Sequence, residues 1–395
     1  MSETRLRGTP RLLVVLAAIS GLGAISIDMY LPALPSIAER LSAEPAQVQL
    51  TLGAFFIAYG VGQLLYGPLS DRTGRRPVMV GGVVLYIVGS AACALASGVG
   101  MLIAARVLQA LGASAGVVVA RAAVRDLYEG DAAARAMSML ISVFAVVPLV
   151  APVVGGYVLV WSGWRAIFWV LLGFGALCLV AVVAAVPESL PRSMRARGGI
   201  GATLGTYVEI LRHRRALGSL IAGGAVFGGM FAYISGTPFV YIDLFGVAPQ
   251  HYGFLFGINV LGIIASSQAN ARLVMRHGSD RLLRIGVHSA AGAGVALAVV
   301  TTADVGGLPA IVVCLFFFVG MIGFVGANAV AGALRDFPRA AGAAAALFGG
   351  LQFGIGALAA SLVGTLHDGT ARPMGWIIAA TGLIALVAYR RLARA

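Results

Sequence analysis

The sequence predicts an all-α membrane protein, twelve transmembrane helices in two six-helix bundles with both termini in the cytoplasm. Three observations predict it. Apolar residues make up 59% of the 395 and charged residues only 11%, whereas soluble domains hold about half and about a quarter; mean hydropathy is +0.94. The apolar residues come in runs of about 20, the length a helix needs to cross a hydrocarbon core about 30 Å thick. The basic residues, finally, fall mostly in alternate loops and at the ends of the chain.

In chain order the first six spans read Leu12–Ile37, Val48–Leu69, Val78–Ala96, Met101–Ala120, Ala136–Val160 and Ala166–Val186. The last six read Leu217–Tyr241, Tyr252–Val274, Leu282–Thr302, Leu308–Leu334, Ala341–Leu366 and Met374–Leu392. The polar interval between them divides the chain into residues 1–186, a cytoplasmic linker 187–216, and residues 217–395. Within the linker, Leu204, Tyr207, Val208 and Leu211 recur at helical spacing ahead of Arg212, Arg214 and Arg215, which predicts an interfacial helix over Thr203–Arg215.

The net charge of +13 rests on 28 basic residues, all arginine. Twenty-four lie at the N-terminus, in alternate loops or in the C-terminal tail; three (Arg40, Arg165, Arg372) lie in the opposite loops, and Arg106 lies inside a span. That is the positive-inside pattern of membrane topology, and it excludes nucleic-acid binding as the reason for the basic balance. Anionic lipid attraction is its by-product. The apolar run after Arg11 is too long for a secretory signal, whose core spans about 7–15 residues. Cys93, Cys178 and Cys314 sit inside spans and far apart, so neither a disulfide framework nor a metal site is expected.

One loop concentrates charge. Gly67–Pro77, GPLSDRTGRRP, sets Asp71 among Arg72, Arg75 and Arg76 between two spans. NARLVMRHGSDRLLR repeats its shape: Leu273, Arg276 and Gly278 each follow Leu69, Arg72 and Gly74 by 204 residues, with Met275 in place of Asp71. Duplicated halves with a site between them are a recurrent transporter plan.

Other segments complete the pattern: SIDMYLPALPSI (Ser26–Ile37), RVLQALGASAG (Arg106–Gly116), APVVGG (Ala151–Gly156), TPFVYI (Thr237–Ile242), GANAVAGAL (Gly326–Leu334) and LQFGIGAL (Leu351–Leu358). Together with the charged loop they resemble the major facilitator superfamily, and more narrowly its Bcr/CflA group of bacterial drug-resistance transporters. The resemblance covers nearly the whole chain. It departs in two places: Ala151 precedes Pro152 where the fifth-helix motif has glycine, and Ser20 and Gly21 stand where some multidrug relatives carry a second first-helix acid. It implies a secondary active exporter of small amphipathic drugs, in exchange for protons, in the bacterial inner membrane, with no cofactor and monomeric by default. An exporter of an endogenous metabolite (a short peptide, an amino acid or a siderophore) is the alternative.

Asp28 lies within the first span, where a charge costs about 2.5–3.5 kcal/mol on insertion scales. Burial favours the neutral form of a carboxyl, so Asp28 is the candidate proton carrier; the bland reading is an interfacial acid at the end of a helix broken by Pro32 and Pro35. At about 1.5 Å per residue, Asp28 stands roughly 24 Å above the start of its span and Arg106 roughly 7.5 Å below the opposite start of the fourth, so the two share a depth. The expectation is one cavity in which Arg106 tunes Asp28, directly or through water, with Gln109 one turn on adding a hydrogen bond. Snorkelling of Arg106 to the interface is the alternative.

The loop's Gly67 and Gly74 allow tight reversal. Asp71 is read as a latch that pairs across the halves in one state and releases in the other, with Arg72, Arg75 and Arg76 around it. Pro148, Pro152, Gly155 and Gly156 fall in one helix, where the resemblance implies a bend that seals the cavity against leak. Tyr30, Asn328 and Gln352 are candidates for the cavity lining.

Three further signals point elsewhere. GASAG (Gly112–Gly116) matches a nucleophile pattern and GIGALA (Gly354–Ala359) approaches a dinucleotide fingerprint, but both belong inside helices rather than after strands. The histidines show no metal spacing. An intramembrane serine hydrolase acting through Ser114 is therefore disfavoured, as is a receptor without flux, since no long loop or signalling domain interrupts the spans.

Overall fold

The computed structural model describes residues 10–195, 200–335, 337 and 341–393, without the side chains of 10, 143–144, 200–204 and 341. Arg5, Arg7, Arg197, Arg339 and Arg394, counted in the charge bias, lie outside the described residues.

The first predicted span is divided. Helix α1 (Pro10–Ser20) stops before Gly21, α2 (Leu22–Asp28) follows, a 3-10 turn occupies Leu31–Ala33, and α3 is Leu34–Arg40. Proline at positions 32 and 35 explains the break, because it removes a backbone donor and restricts the residue before it. The axis bends by 45° at the earlier break. Four long helices then alternate in direction: α4 (Pro45–Thr73), α5 (Arg75–Ala94), α6 (Val99–Leu127) and α7 (Gly130–Ser162); α8 (Trp164–Ala185) completes the first six spans.

Helix α9 (Ile200–Arg212) occupies the linker, and α10 (Arg214–Pro238) opens the last six spans, ending in a π turn over Phe239–Leu244. There follow α11 (Pro249–His277), α12 (Ser279–Ala303), the broken pair α13 (Gly307–Gly320) and α14 (Ile322–Leu334), α15 (Ala341–Thr365) and α16 (Arg372–Ala388). Eleven described helices are long and apolar enough to cross a membrane, and the bent first pair brings the number to twelve.

Several helices overrun the apolar runs at both ends. The second span, predicted as Val48–Leu69, is observed as Pro45–Thr73. A capping box starts it, the Glu44 backbone N–H donating to Gln47 Oε1 at 3.1 Å. Gly74 stops it at φ +108° and ψ 159°, a conformation that residues with a side chain avoid. Gly278, 204 residues on, ends α11 at φ +75° and ψ 156°. The two charged loops thus repeat in backbone as well as in sequence.

Packing places α4 against α5 and α6 within the first six spans, and α10 against α14, α15 and α16 within the last six. Between the two sets, α4 meets α15 and α7 meets α11. The first of these seams is aromatic: Phe56 and Phe231 lie 4.4 Å apart by ring centroid, Tyr59 and Phe353 5.0 Å. The start of α1, the charged loop, α9 and the end of α16 lie at one end of the bundle, the proximal end; the turn at Leu31–Ala33 and the starts of α4 and α11 lie towards the other, the distal end.

Candidate functional site

A closed ring of hydrogen bonds occupies the middle of the first six spans. Arg106, wholly buried on α6, donates from Nη1 to Gln109 Oε1 at 2.7 Å and to the Ser26 carbonyl at 3.0 Å. Gln109 Nε2 donates to Ser90 Oγ at 2.8 Å, and Ser90 Oγ to the Tyr86 carbonyl at 2.8 Å. Tyr86 OH lies 2.8 Å from Ser26 Oγ, whose own hydrogen goes to the Leu22 carbonyl at 2.6 Å. The ring therefore begins and ends on Ser26, two residues before Asp28.

Desolvating a guanidinium costs several kcal/mol unless its environment compensates. Here the compensation is mainly aromatic: the Arg106 guanidinium carbon stands 4.2 Å from the Phe55 ring centroid and 4.5 Å from that of Tyr30, a contact worth about 2 kcal/mol when desolvated. Nε and Nη2 of Arg106 make no hydrogen bond. The residue does not snorkel.

Asp28 is 5% exposed and is the last residue of α2, where the helix dipole disfavours a negative charge. It makes no hydrogen bond or ion pair among the described residues, and Arg106 is turned to the Ser26 carbonyl and not to its carboxylate. The shared depth expected from helix rise holds; direct pairing does not. Tyr30 and Gln109 also belong to the interior of the first six spans, Tyr30 OH lying 2.8 Å from Thr51 Oγ1. Asn328 donates to Asn270 Oδ1 at 2.6 Å within the last six spans, and Gln352 is half-buried on α15.

The turn Leu31–Ala33, just after Asp28, packs on α7, α10 and α11, and the last two of these helices carry Tyr233 and Tyr252. These two belong to a fully buried polar cluster with Thr237, Tyr241 and Asn259. Reading the sequence missed this cluster; the signal was three tyrosines and an asparagine in adjoining apolar spans, which looks the same as ordinary packing.

The α7 glycines sit where backbones touch. A methyl group on Gly155 would overlap the Met29 carbonyl, and one on Gly156 the Pro249 carbonyl. Gly253 on α11 meets the Val153 backbone in the same seam. Pro148 and Pro152 lie within α7 without ending it. The distal end is thus sealed by close helix approach, beneath a hollow of about 720 Å³ bordered by Pro32, Pro35, Glu39, Glu44 and Asp243.

At the proximal end Arg75 is the hub. Its side chain is 8% exposed and binds Asp71 at 2.5 Å, Asp126 at 2.9 Å and Ser70 Oγ at 2.7 Å, while its backbone N–H donates to Glu188 Oε1 at 2.8 Å. Arg76 donates to the Val183 carbonyl at 2.7 Å. All these bonds stay within the first six spans and the segment after them, so Asp71 does not bridge to the last six in this state. Gly67 has open space around it, and Arg72 is exposed. Asp126 and Glu188 were not foreseen, since nothing in their local sequence names a partner 51 or 113 residues away.

Ser114 lies in the middle of α6 and donates to the Leu111 carbonyl at 2.8 Å, and Gly354–Ala359 lies within α15. Neither signal has its required turn after a strand.

A bundle of twelve spans with a buried acid at a broken helix and a charged loop repeated in the two sets of six defines a polytopic membrane transporter. The chain belongs to the major facilitator superfamily, whose family profile matches residues 16–361. It is 38% identical to the uncharacterized MFS-type transporter YdgK of Bacillus subtilis, over 95% of this chain and 93% of that protein. It is 33% identical to a bicyclomycin resistance protein homolog of Haemophilus influenzae, over 95% and 94%. The fold also matches a crystal structure of a D-xylose-proton symporter with a TM-score of 0.77 at 16% identity, over 97% of each chain.

Proposed function

We propose that this protein exports small amphipathic drugs in exchange for protons by alternating access, in a bacterial inner membrane with both termini cytoplasmic. Residues 1–186 and 217–395 act as two bundles that rock about Asp28, which carries the proton. The observation that carries this reading is the position of Asp28: an acid with no ion pair among the described residues, at the break of the first span, on a helix packed on α7 and followed by a turn packed on the last six spans. The likeness to a bicyclomycin resistance protein homolog and to a chloramphenicol resistance protein of Pseudomonas aeruginosa supports drugs as cargo.

The closed distal seam and the unbridged Asp71 fit one state of this cycle. Asp71 pairs across the bundles when the distal end opens and is held by Arg75 when it closes. Arg106 acts on Asp28 through the Ser26 carbonyl, holding the helix that presents the acid, while the α7 glycines permit the seal. A membrane potential contributes about 2.3 kcal/mol per charge per 100 mV to a returning proton.

Inverted vesicles loaded with the chain, given a fluorescent cationic substrate and an imposed pH gradient, test the reading. Accumulation should follow the gradient, collapse with a protonophore and vanish in Asp28→Asn. Accumulation by Asp28→Asn at the parent rate would refute proton coupling through this residue.

A further inference from the structure

The hydrogen-bonding capacity of the buried tyrosine cluster can be counted, and the remainder matches one protonation state of Asp28. Thr237 Oγ1 donates to the Tyr233 carbonyl at 2.9 Å, so its 3.0 Å contact with Tyr252 OH must be a bond donated by the tyrosine. Tyr252 has then used its hydrogen and keeps a free acceptor oxygen. Asn259 Nδ2 donates to Tyr233 OH at 3.2 Å, which occupies the oxygen of Tyr233 and leaves its hydrogen free. The pair, on the two helices against which the turn after Asp28 packs, thus offers one donor and one acceptor. A carboxylic acid requires just that, one group to bond its carbonyl and one to receive its O–H; a carboxylate would require two donors.

We propose that Tyr233 and Tyr252 form a receptor for the neutral form of Asp28, so that closure of the distal seam is favoured when the acid is protonated. The proposal rests on Asp28 being the coupling group. Tyr233 O–H donates to the carbonyl oxygen of the protonated acid, and the acid donates to Tyr252, directly or through one water. Behind them, Tyr241 lies against Tyr252 with ring centroids 5.9 Å apart, and its hydroxyl and Asn259 Oδ1 are a buried donor and a buried acceptor without hydrogen bonds. The other titratable groups around the first-span break are Tyr30, Tyr86 and Arg106, held within the first six spans, and Glu39, Glu44 and Asp243, which border the hollow at Pro32 and Pro35. Neither a cation nor a second acid interacts with Asp28 among the described residues.

The test reads the distance between spin labels at Val160 on α7 and Phe254 on α11, both exposed, in nanodiscs from pH 5 to pH 9, with the native cysteines replaced. The parent should shift towards the short distance as pH falls. Tyr233→Phe with Tyr252→Phe removes the free donor and the anchored acceptor, and should lower the closed-to-open ratio at low pH roughly tenfold, the scale of one hydrogen bond. Thr237→Val does the opposite: it frees the Tyr252 hydrogen, so two donors face Asp28 and closure should persist to higher pH. A packing role alone gives no such opposition of sign. Unchanged profiles in both variants, or shifts in the same direction, overturn the proposal. Asp28→Asn separates the two readings, because its amide keeps an N–H donor and a carbonyl acceptor at every pH. If it abolishes the pH dependence while the tyrosine and threonine variants keep the parent profile, the receptor fails and proton coupling stands; if it leaves the profile intact, proton coupling itself fails.

Discussion

Arg106 and Ser26 are joined across 80 residues of sequence by one hydrogen bond, Nη1 to carbonyl oxygen at 3.0 Å, two residues before the acid at the end of α2. The same nitrogen also serves Gln109, while the guanidinium lies against Tyr30 and Phe55. A lysine ammonium keeps the charge but lacks the planar fork that reaches both acceptors while stacking. Arg106→Lys should therefore assemble normally yet lose at least about tenfold in transport, the scale of one misplaced hydrogen bond to a charged group. Arg106→Ala adds a cavity and two abandoned acceptors, and should cost about 2–5 kcal/mol of stability in thermal or denaturant unfolding. Parent-level transport by the lysine variant would remove Arg106 from the coupling machinery.

The Arg75 hub predicts a graded series. Its side chain is 8% exposed, whereas Asp126 is 21% and Asp71 49% exposed. Removing a buried partner abandons the charges around it, while an exposed one is screened by water. Stability losses should therefore fall in the order Arg75→Ala, Asp126→Ala, Asp71→Ala, from about 3 kcal/mol to under about 1 kcal/mol. If Asp71 is also the latch, its alanine variant should slow vesicle transport with equilibrium drug binding nearly unchanged. Lost binding in a well-folded Asp71→Ala protein would contradict that role.

What could be read before the structure follows the range of the physics. Span interiors were legible because burial in lipid imposes length and composition on every residue, and the depth shared by Asp28 and Arg106 follows from helix rise alone. Their orientation was not: rise fixes height but not which neighbour a side chain faces, so Arg106 bonds Gln109 as expected but turns to the Ser26 carbonyl and not to the Asp28 carboxylate. The continuous run Leu12–Ile37 hid two breaks, of which only the one at Pro32 had a clear mark in the sequence. Asp126, Glu188 and the Tyr233–Tyr252 cluster depend on helices meeting far apart in the chain, and no local pattern encodes that.

Gly74 isolates backbone strain from charge. At φ +108° and ψ 159° a side chain is disfavoured by about 1–3 kcal/mol. A methyl there would also meet the Glu188 carboxylate that caps the Arg75 N–H. Gly74→Ala should lower the melting temperature, and Glu188→Ala in the same chain should recover only the steric part. Complete recovery in the double variant would assign the whole cost to the carboxylate and none to the backbone.

The seal at the distal end should depend on size alone at Gly156. Its α-carbon stands against the backbone at Pro249 and Gln250, which cannot swing aside as a side chain can. Gly156→Val must therefore separate α7 from α11, whereas the same change at Gly173 on α8, with open space around it, meets nothing. Helix propensity does not oppose either substitution, since glycine is the poorer helix former. The valine at 156 should leave the fold intact, because most of each helix packs elsewhere, but it should hold the distal end open. Labels at Val160 and Phe254 should then report the long distance at every pH, and proton leak should replace coupled transport. A short distance in Gly156→Val would mean that the α7–α11 contact is not what closes the distal end, and the function of the proline- and glycine-bearing helix would have to lie elsewhere.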